Sequence, residues 1–110
     1  MKKPRPAAGT ASIESWQGRT WDFTLYIAGQ TPRSVAAVEN LENLCRRHMA
    51  GRFRIEVIDL VLQPELARTD QIVAIPTLVR KRPLPVRRVI GDLSDTERVL
   101  RSLDINVRSA

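Results

Sequence analysis

The chain has 110 residues, of which 43% are hydrophobic and 27% are charged, and its formal net charge at pH 7 is +6. This length supports one domain with a modest core, and the composition is ordinary for a globular protein. No stretch approaches the roughly 20 consecutive apolar residues of a membrane-spanning helix, so we expect neither a transmembrane segment nor a membrane partner.

The start of the chain and its cysteine content indicate a cytoplasmic protein. Met1-Lys2-Lys3 is not followed by an apolar block, so the pattern of a secretory signal is missing. The one cysteine, Cys45, cannot form an internal disulfide. Residues 1–20 mix Pro, Ala, Gly, Ser and Thr without periodicity, and we expect them to form a flexible leader.

The first part of the domain is predicted to form a strand, a helix and a second strand. Apolar and polar residues alternate from Trp21 to Ile27, which is the periodicity of a strand. Thr31 suits the N-cap of the following helix, Pro32 suits its first position, and Gly51 ends it. A second strand covers about residues 53–60, so the two strands are expected to be parallel. The apolar face of the helix carries Val38, Leu41, Cys45 and Met49, and that of the second strand carries Phe53, Ile55 and Val57.

The second part is predicted to hold a short helix, two paired strands and a last helix. The short helix covers about residues 64–70, and the apolar run 72–79 follows it. A turn at 82–85 leads to a strand at 86–90, close enough to the preceding strand to pair with it as a hairpin. Residues 94–97, Ser-Asp-Thr-Glu, have the pattern of a capping box that starts at Ser94. This box begins a helix whose apolar positions are Val99, Leu100 and Leu103.

The order βαβαββα indicates an α/β protein of thioredoxin-like architecture. In that architecture a proline begins the third strand after a cis peptide bond, and we expect Ile75–Pro76 to be cis. A thioredoxin-like oxidoreductase places C-x-x-C at the start of the first helix, where the helix terminus lowers the thiol pKa. Residues 29–34 contain no cysteine, and Cys45 lies further along on the apolar side of the helix. We therefore expect a structural thiol, no catalytic residue and no enzymatic activity.

The sequence predicts neither a cofactor nor a metal. His48 is the only histidine, and with Cys45 it makes too few ligands for a metal site. Asp59 and Asp92 are single carboxylates near strand ends, where solvated turns account for them. The glycines are isolated from one another, so no glycine-rich phosphate loop is expected.

The positive charge raises the question of a nucleic-acid partner, but its distribution argues against one. Half of the net charge lies in residues 1–20. Residues 80–88 hold five cations and no acid, yet no aromatic residue is interleaved with them. A platform for stacked bases would need such aromatics. We therefore expect no nucleic-acid partner.

Five blocks of sequence, in register over about residues 21–107, coincide with one known family. They are LYIAGQTPRSV (25–35), VIDL (57–60), PELA (64–67), AIPTL (74–78) and PVRRVIGDLS (85–94). On these blocks the sequence resembles the KaiB family of the bacterial KaiABC circadian clock. The resemblance indicates one KaiB-like domain over 21–107 and a tail at 108–110.

The resemblance implies a non-enzymatic partner of KaiC, a hexameric ATPase with autokinase activity, with KaiA or a SasA-type kinase pathway as further candidates. It also implies a metamorphic chain. One state is a thioredoxin-like monomer that binds the N-terminal ATPase ring of KaiC. The other is a βαββααβ fold that assembles as a homodimer or homotetramer. In this family the part of the chain from about residue 60 onward rearranges.

The resemblance places the KaiC-binding surface on the exposed side of the second strand and on the short helix after it. Two arginines of the hairpin are added because they can pair with acidic groups of KaiC or of a neighbouring subunit; solubility is the alternative explanation for them. The expected partner-binding residues are Arg54, Glu56, Glu65, Arg68, Asp70, Gln71, Arg87 and Arg88. The expected fold-switch residues are Trp21, Pro76, Pro83, Pro85, Gly91, Ser102 and Asp104.

If residues 95–103 are helical in the thioredoxin-like state but not in the other, Ser102 favours the thioredoxin-like state, because the family often has glycine at this place in the last helix. Serine is favoured over glycine within a helix by roughly 0.3–0.5 kcal/mol. Two alternative functions stay open. One is a KaiB-like sensor domain of the SasA histidine kinases, against which the lack of a kinase region in the sequence argues. The other is a redox-inactive thioredoxin-like adaptor.

Overall fold

A computed structural model describes residues 20–49 and 51–105 of the chain. Nearly all of the predicted leader and the tail at 108–110 lie outside these residues. The elements follow in the predicted order βαβαββα, and the α/β fold class is confirmed. They are β1 (Trp21–Ile27), α1 (Pro32–His48), β2 (Phe53–Asp59), α2 (Glu65–Thr69), β3 (Thr77–Arg82), β4 (Arg87–Ile90) and α3 (Thr96–Ser102).

The four strands form one sheet in the order β2-β1-β3-β4. β1 and β2 are parallel, as the intervening helix predicts, and β3 is antiparallel to both β1 and β4. The predicted hairpin of β3 and β4 is confirmed. The pairing of β1 with β3 contains a β-bulge, because Asp22 pairs with Arg82 whereas Phe23 pairs with Arg80.

The main core lies between the sheet and the helices α1 and α3. The inward residues of β1, Phe23 and Leu25, are fully buried in one cluster with the apolar face of α1, with Val99 of α3 and with Leu103 directly after α3. The predicted apolar positions of α1 and α3 are confirmed in this cluster. Because side chains alternate across a strand, the next residues of β1 face the other way. There Tyr26 joins Ile58, Ile72 and Val79 in a smaller cluster under α2.

Polar side chains at the start of α1 accept from one backbone amide of its first turn and from one just after β1. The Thr31 side chain accepts from the Ser34 amide, and Pro32 is the first helical residue, as predicted. The Ser34 hydroxyl is buried and accepts from the Ala28 amide at 3.2 Å. The helix is therefore tied to the end of β1 at the point where it begins.

Two details of the predicted elements are wrong. The N-cap of α3 is Asp95, whose carboxylate accepts from the Arg98 amide, and not Ser94. The Ser94 amide instead donates to Asp92, so Ser94 belongs to the preceding turn. Val57 was expected on the apolar face of β2, but its side chain is 43% exposed. β2 is an edge strand, and in its second half the buried residue is Ile58 on the opposite face.

Pro76, Pro83 and Pro85 lie at the two ends of the hairpin. The peptide bond Ile75–Pro76 is cis, as predicted, and the bonds before Pro83 and Pro85 are cis as well. β3 begins directly after Pro76, whose carbonyl accepts from the Gly91 amide at 2.9 Å. A proline before the strand therefore leaves the ladder of β3 complete.

Candidate partner-binding surface

The position at which a thioredoxin carries its reactive cysteines holds none in this chain. The first turn of α1 begins at Thr31 and Pro32, and the free thiol lies further along the helix. Cys45 is fully buried, and burial raises the pKa of its thiol to about 12. A thiolate is the reactive form, so burial and the raised pKa both disfavour reaction of this cysteine in the folded protein. Within 20–49 and 51–105, no cluster of three or more His, Cys, Asp or Glu residues is placed to hold a metal ion.

Tyr26 connects the middle of the sheet to the segment that follows α2. Its side chain is 1% exposed, and its hydroxyl donates to the Asp70 carboxylate at 2.6 Å. Burial raises the pKa of the Tyr26 hydroxyl, and the bond to Asp70 raises it further. The Tyr26 hydroxyl therefore stays protonated and donates its hydrogen bond. This bond holds the Asp70 carboxylate with one oxygen facing the sheet.

Arg88 holds the same segment from the side of β4. Its guanidinium donates to the backbone carbonyls of Gln71 at 2.7 Å and of Asp70 at 2.8 Å. Gln71 has a φ of 58°, a left-handed conformation that is unusual for a residue with a side chain. The two contacts fix the carbonyls of this turn, and the Gln71 side chain is left exposed.

A shallow depression of about 280 Å³ lies between α2, the end of β3 and β4. We call the surface around it the α2 face. It is mixed in charge, and Val86 contributes an exposed apolar side chain. The residues that line the depression are Tyr26, Thr69, Asp70, Gln71, Val79, Lys81, Val86 and Arg88.

Of the predicted partner-binding residues, Asp70, Gln71 and Arg88 line the depression, and Arg54 and Glu56 share its side of the sheet, whereas Arg87 does not. Arg54 and Glu56 are exposed on β2, on the side of the sheet opposite its α1-facing residues, and Glu65 and Arg68 are exposed on α2. Arg87 pairs with Arg80 across the hairpin and therefore shares the side of α3. There it makes an exposed ion pair with Asp104 at 3.0 Å.

The predicted fold-switch residues fall into two groups. Pro76 and Gly91 meet through a backbone hydrogen bond at one end of the hairpin. The other group lies at the opposite end, where the β3–β4 turn meets the start of β1 and the end of α3. It comprises Trp21, Pro83, Pro85, Ser102 and Asp104. Trp21 stacks on Phe23 with ring centres 6.2 Å apart. Ser102 is the last residue of α3, and Asp104 has a φ of 61°.

The residue at the centre of the second group is Arg80, which the sequence reasoning did not single out. It was counted among the hairpin cations, but its side chain is only 2% exposed. The guanidinium lies over the Trp21 ring, 5.7 Å from its centre, and donates to the carbonyls of Pro85 and Leu103. One signal could have found it: Arg80 follows Leu78 by two residues on the same strand, so both face the core side.

The cation-rich hairpin is therefore largely structural. Arg80, Arg87 and Arg88 bind groups of three different segments: the end of α3, the β3–β4 turn and the turn after α2. Asp59 connects loops in a similar way, since its carboxylate accepts from the Gly29 and Val61 amides at 3.0 and 2.9 Å. It is more than the solvated turn residue expected from the sequence. Asp92 does match that expectation, and the bonds from Ser94 lower the pKa of its carboxyl.

The fold and the missing cysteines define the class: a thioredoxin-like domain without the redox motif. Among solved structures the chain is similar to the N-terminal domain of SasA from Synechococcus elongatus, with a TM-score of 0.66 and 22% identity over 89% of this chain and 96% of that one. It is also similar to chloroplastic thioredoxin z, with a TM-score of 0.63 and 22% identity over 78% of each chain. At such identities the likeness shows the fold.

The family follows from the sequence comparisons. The KaiB domain model matches residues 24–105. The circadian clock oscillator protein KaiB of Synechococcus elongatus is 48% identical over 87 residues, which cover 79% of this chain and 85% of that protein. The KaiB of Nostoc punctiforme is 47% identical over the same length, covering 84% of that protein. The chain belongs to the KaiB family, a family of circadian clock proteins and not a recognised enzyme family. None of the helices in 20–49 and 51–105 is long and apolar enough to cross a membrane.

Proposed function

We propose that the chain is a non-enzymatic clock or timer component that binds the ATPase ring of a KaiC-like protein and modulates its phosphorylation and ATPase cycle. The observation that carries the proposal is the 48% identity to circadian clock oscillator proteins over most of the chain. The thioredoxin-like arrangement supports it, because a scaffold of this kind without its cysteines keeps surfaces for binding and loses the means for redox chemistry.

The α2 face is the proposed contact surface for KaiC. Arg54 and Arg68 are exposed on β2 and on α2, and the turn between α2 and β3 is fixed by Tyr26 and Arg88. A rigid turn flanked by exposed charges loses little conformational freedom when a partner binds. Glu56, Glu65, Asp70 and Gln71 complete the surface. Arg88 contributes by holding the turn, and Arg87 is a peripheral contact, since it lies on the side of α3.

The test is co-migration on size exclusion of this protein with the KaiC of its own organism and ATP. We expect a complex within hours, and weaker binding of Arg54→Gln and Arg68→Gln. Arg47→Gln is the matched control: it removes the same charge from the exposed end of α1, away from the α2 face, and should bind like wild type. Failure of the wild-type protein to co-migrate over hours, with phosphorylated and unphosphorylated KaiC alike, would contradict the proposal.

The modulation is proposed to work by fold switching between the thioredoxin-like state and a second, oligomeric arrangement. Two folds coexist only if their free energies differ by a few kcal/mol, so small changes shift the balance. Ser102 is the last helical residue of α3. Glycine there would weaken the helix by roughly 0.3–0.5 kcal/mol, which corresponds to about a twofold change in the ratio of states. An NMR measurement that finds the ratio unchanged in Ser102→Gly would contradict this part of the proposal.

A sensor domain of the SasA type is the second candidate, favoured by the fold similarity to the SasA N-terminal domain. The 22% identity to that domain is less than half of the 48% identity to KaiB, and this difference favours the first candidate. Both candidates predict KaiC binding. An adaptor unrelated to the clock would show none.

A further inference from the structure

Arg80 is a buried cation that joins three separate parts of the chain. Its two terminal nitrogens donate to the carbonyl of Leu103, just after α3, and to the carbonyl of Pro85 in the β3–β4 turn, the latter at 2.6 Å. The flat side of the guanidinium lies over Trp21 at the start of β1. The contacts therefore connect the last helix and the hairpin turn to the first strand.

The charge of Arg80 is buried without a directly bound carboxylate. Among the described residues the one ion pair joins Arg87 and Asp104, and both of its members are about half exposed. The acceptors of Arg80 are neutral carbonyls, and in the described part of the chain its Nε has no hydrogen-bond partner. Burial lowers the pKa of Arg80, which reflects the cost of taking the charge out of water.

This arrangement is stable only as a complete unit. A buried guanidinium is costly, and here the cost is offset by two charge-assisted hydrogen bonds and one aromatic contact. All three partners must be in place together. When the end of α3 leaves the sheet, Arg80 loses the Leu103 carbonyl and can return to water. The side chain therefore stabilises the docked state relative to an undocked one, because the Leu103 carbonyl is bound only while the end of α3 is docked.

We infer that Arg80 is a latch that holds α3 and the β3–β4 turn against β1, and so determines how much of the chain occupies the thioredoxin-like state. The link to the balance of two folds rests on the proposed function; the local latch does not. The two terminal nitrogens of the guanidinium donate to two separate carbonyls at once. The single ammonium group of lysine cannot reproduce this pair of hydrogen bonds.

Hydrogen exchange of the α3 amides tests the latch directly. The amides of Leu103 and Ile105 donate within the docked end of α3, to Val99 and Leu100, and report its opening. We expect Arg80→Leu to speed their exchange by about tenfold or more, because two hydrogen bonds from a charged donor are lost. The amide of Leu41, in the middle of α1, should change less and serves as the reference for global unfolding. Arg82→Leu is the matched control, since Arg82 is an exposed arginine of the same strand.

Each outcome decides the question. Unchanged exchange at Leu103 and Ile105, or an equal increase at Leu41, would overturn the latch, as would the same local effect in Arg82→Leu. If Arg80→Leu does not fold, Arg80→Lys takes its place. Faster exchange at Leu103 and Ile105 in Arg80→Lys, by a smaller factor than expected for leucine, would support the latch. Unchanged exchange in Arg80→Lys would contradict it. KaiC binding is measured in parallel. If neither wild type nor variant binds KaiC, the proposed function fails, while the exchange rates still decide on the latch.

Discussion

Replacing Tyr26 by phenylalanine is expected to destabilise the domain through the loss of one hydrogen bond. The ring stays in its apolar cluster with Ile58 and Val79, so no cavity is created. What is lost is the 2.6 Å bond from the hydroxyl to the Asp70 carboxylate. A hydrogen bond to a charged group contributes about 1.5–3 kcal/mol. Because Asp70 is half-buried and recovers water, we expect the lower end, about 1.5 kcal/mol.

Urea denaturation at pH 7 measures this change as a lower midpoint with an unchanged slope. In thermal unfolding it corresponds to a fall of roughly 6–12 °C in Tm for a domain of this size. A double-mutant cycle of Tyr26→Phe and Asp70→Ala isolates the pair. A coupling energy near zero, with Tyr26→Phe as stable as wild type, would refute the assignment of this bond as stabilising.

The same substitution has a predicted pH signature. The pKa of Tyr26 is raised in the folded protein, so the folded state binds the phenolic proton more tightly than the unfolded state. Its contribution is complete below the unfolded pKa near 10 and is lost as the pH rises above that value. Tyr26→Phe has no phenol to ionise, so its stability does not fall for this reason at high pH. Stability curves of the two proteins should therefore converge as the pH rises above about 10, and parallel curves would contradict the explanation.

The remaining predictions concern Cys45, the cap of α1 and the exposed ion pair. Thiol reagents at pH 8 should label Cys45 only as the protein unfolds, since burial raises its pKa to about 12; fast labelling of the native protein would show that the thiol is accessible. Because that pKa is raised, the thiol's contribution to stability is lost as the pH rises above about 8.5, and Cys45→Ala should remove this loss in urea titrations at rising pH. Thr31→Ala should cost about 1 kcal/mol in urea denaturation, because the Ser34 amide loses its acceptor; a cost near zero would mean that water replaces the cap. Arg87→Gln should change the free energy of unfolding by less than about 1 kcal/mol, since its pair with Asp104 is exposed, and a larger loss would show that the pair is part of the core.

The order of the elements could be predicted because each is encoded locally. Alternation along β1, the Thr31-Pro32 start of α1 and the apolar spacing within α1 and α3 each act over a few residues. The cis bond before Pro76 was predictable as well, once the fold class was assigned. The boundary errors are local too. Ser94 and Asp95 are both good caps, and the choice between them depends on Asp92, which binds the Ser94 amide.

The positions of the charged side chains could not be predicted in the same way. Arg80, Arg87 and Arg88 look alike in the sequence, but they face two sides of the sheet and bind partners far away in the chain. The acceptors are mostly backbone carbonyls, which every residue possesses and which leave no mark in the sequence. The exposure of Val57 likewise depends on β2 being an edge strand, which follows from the strand order and not from the residues of β2.

The bulge between β1 and β3 decides which arginine is buried. In regular antiparallel pairing from Phe23 and Arg80, residue 82 would fall on the core side together with Arg80. The extra residue places Arg82 opposite Asp22 instead, on the outer side of the sheet. The one extra residue, Lys81, therefore leaves Arg80 buried in the core and Arg82 exposed to solvent. Without the bulge, two guanidinium groups would face the core-side carbonyls of Leu103 and Pro85, which bind only that of Arg80. The pairing register at this point therefore matters as much as the residue type.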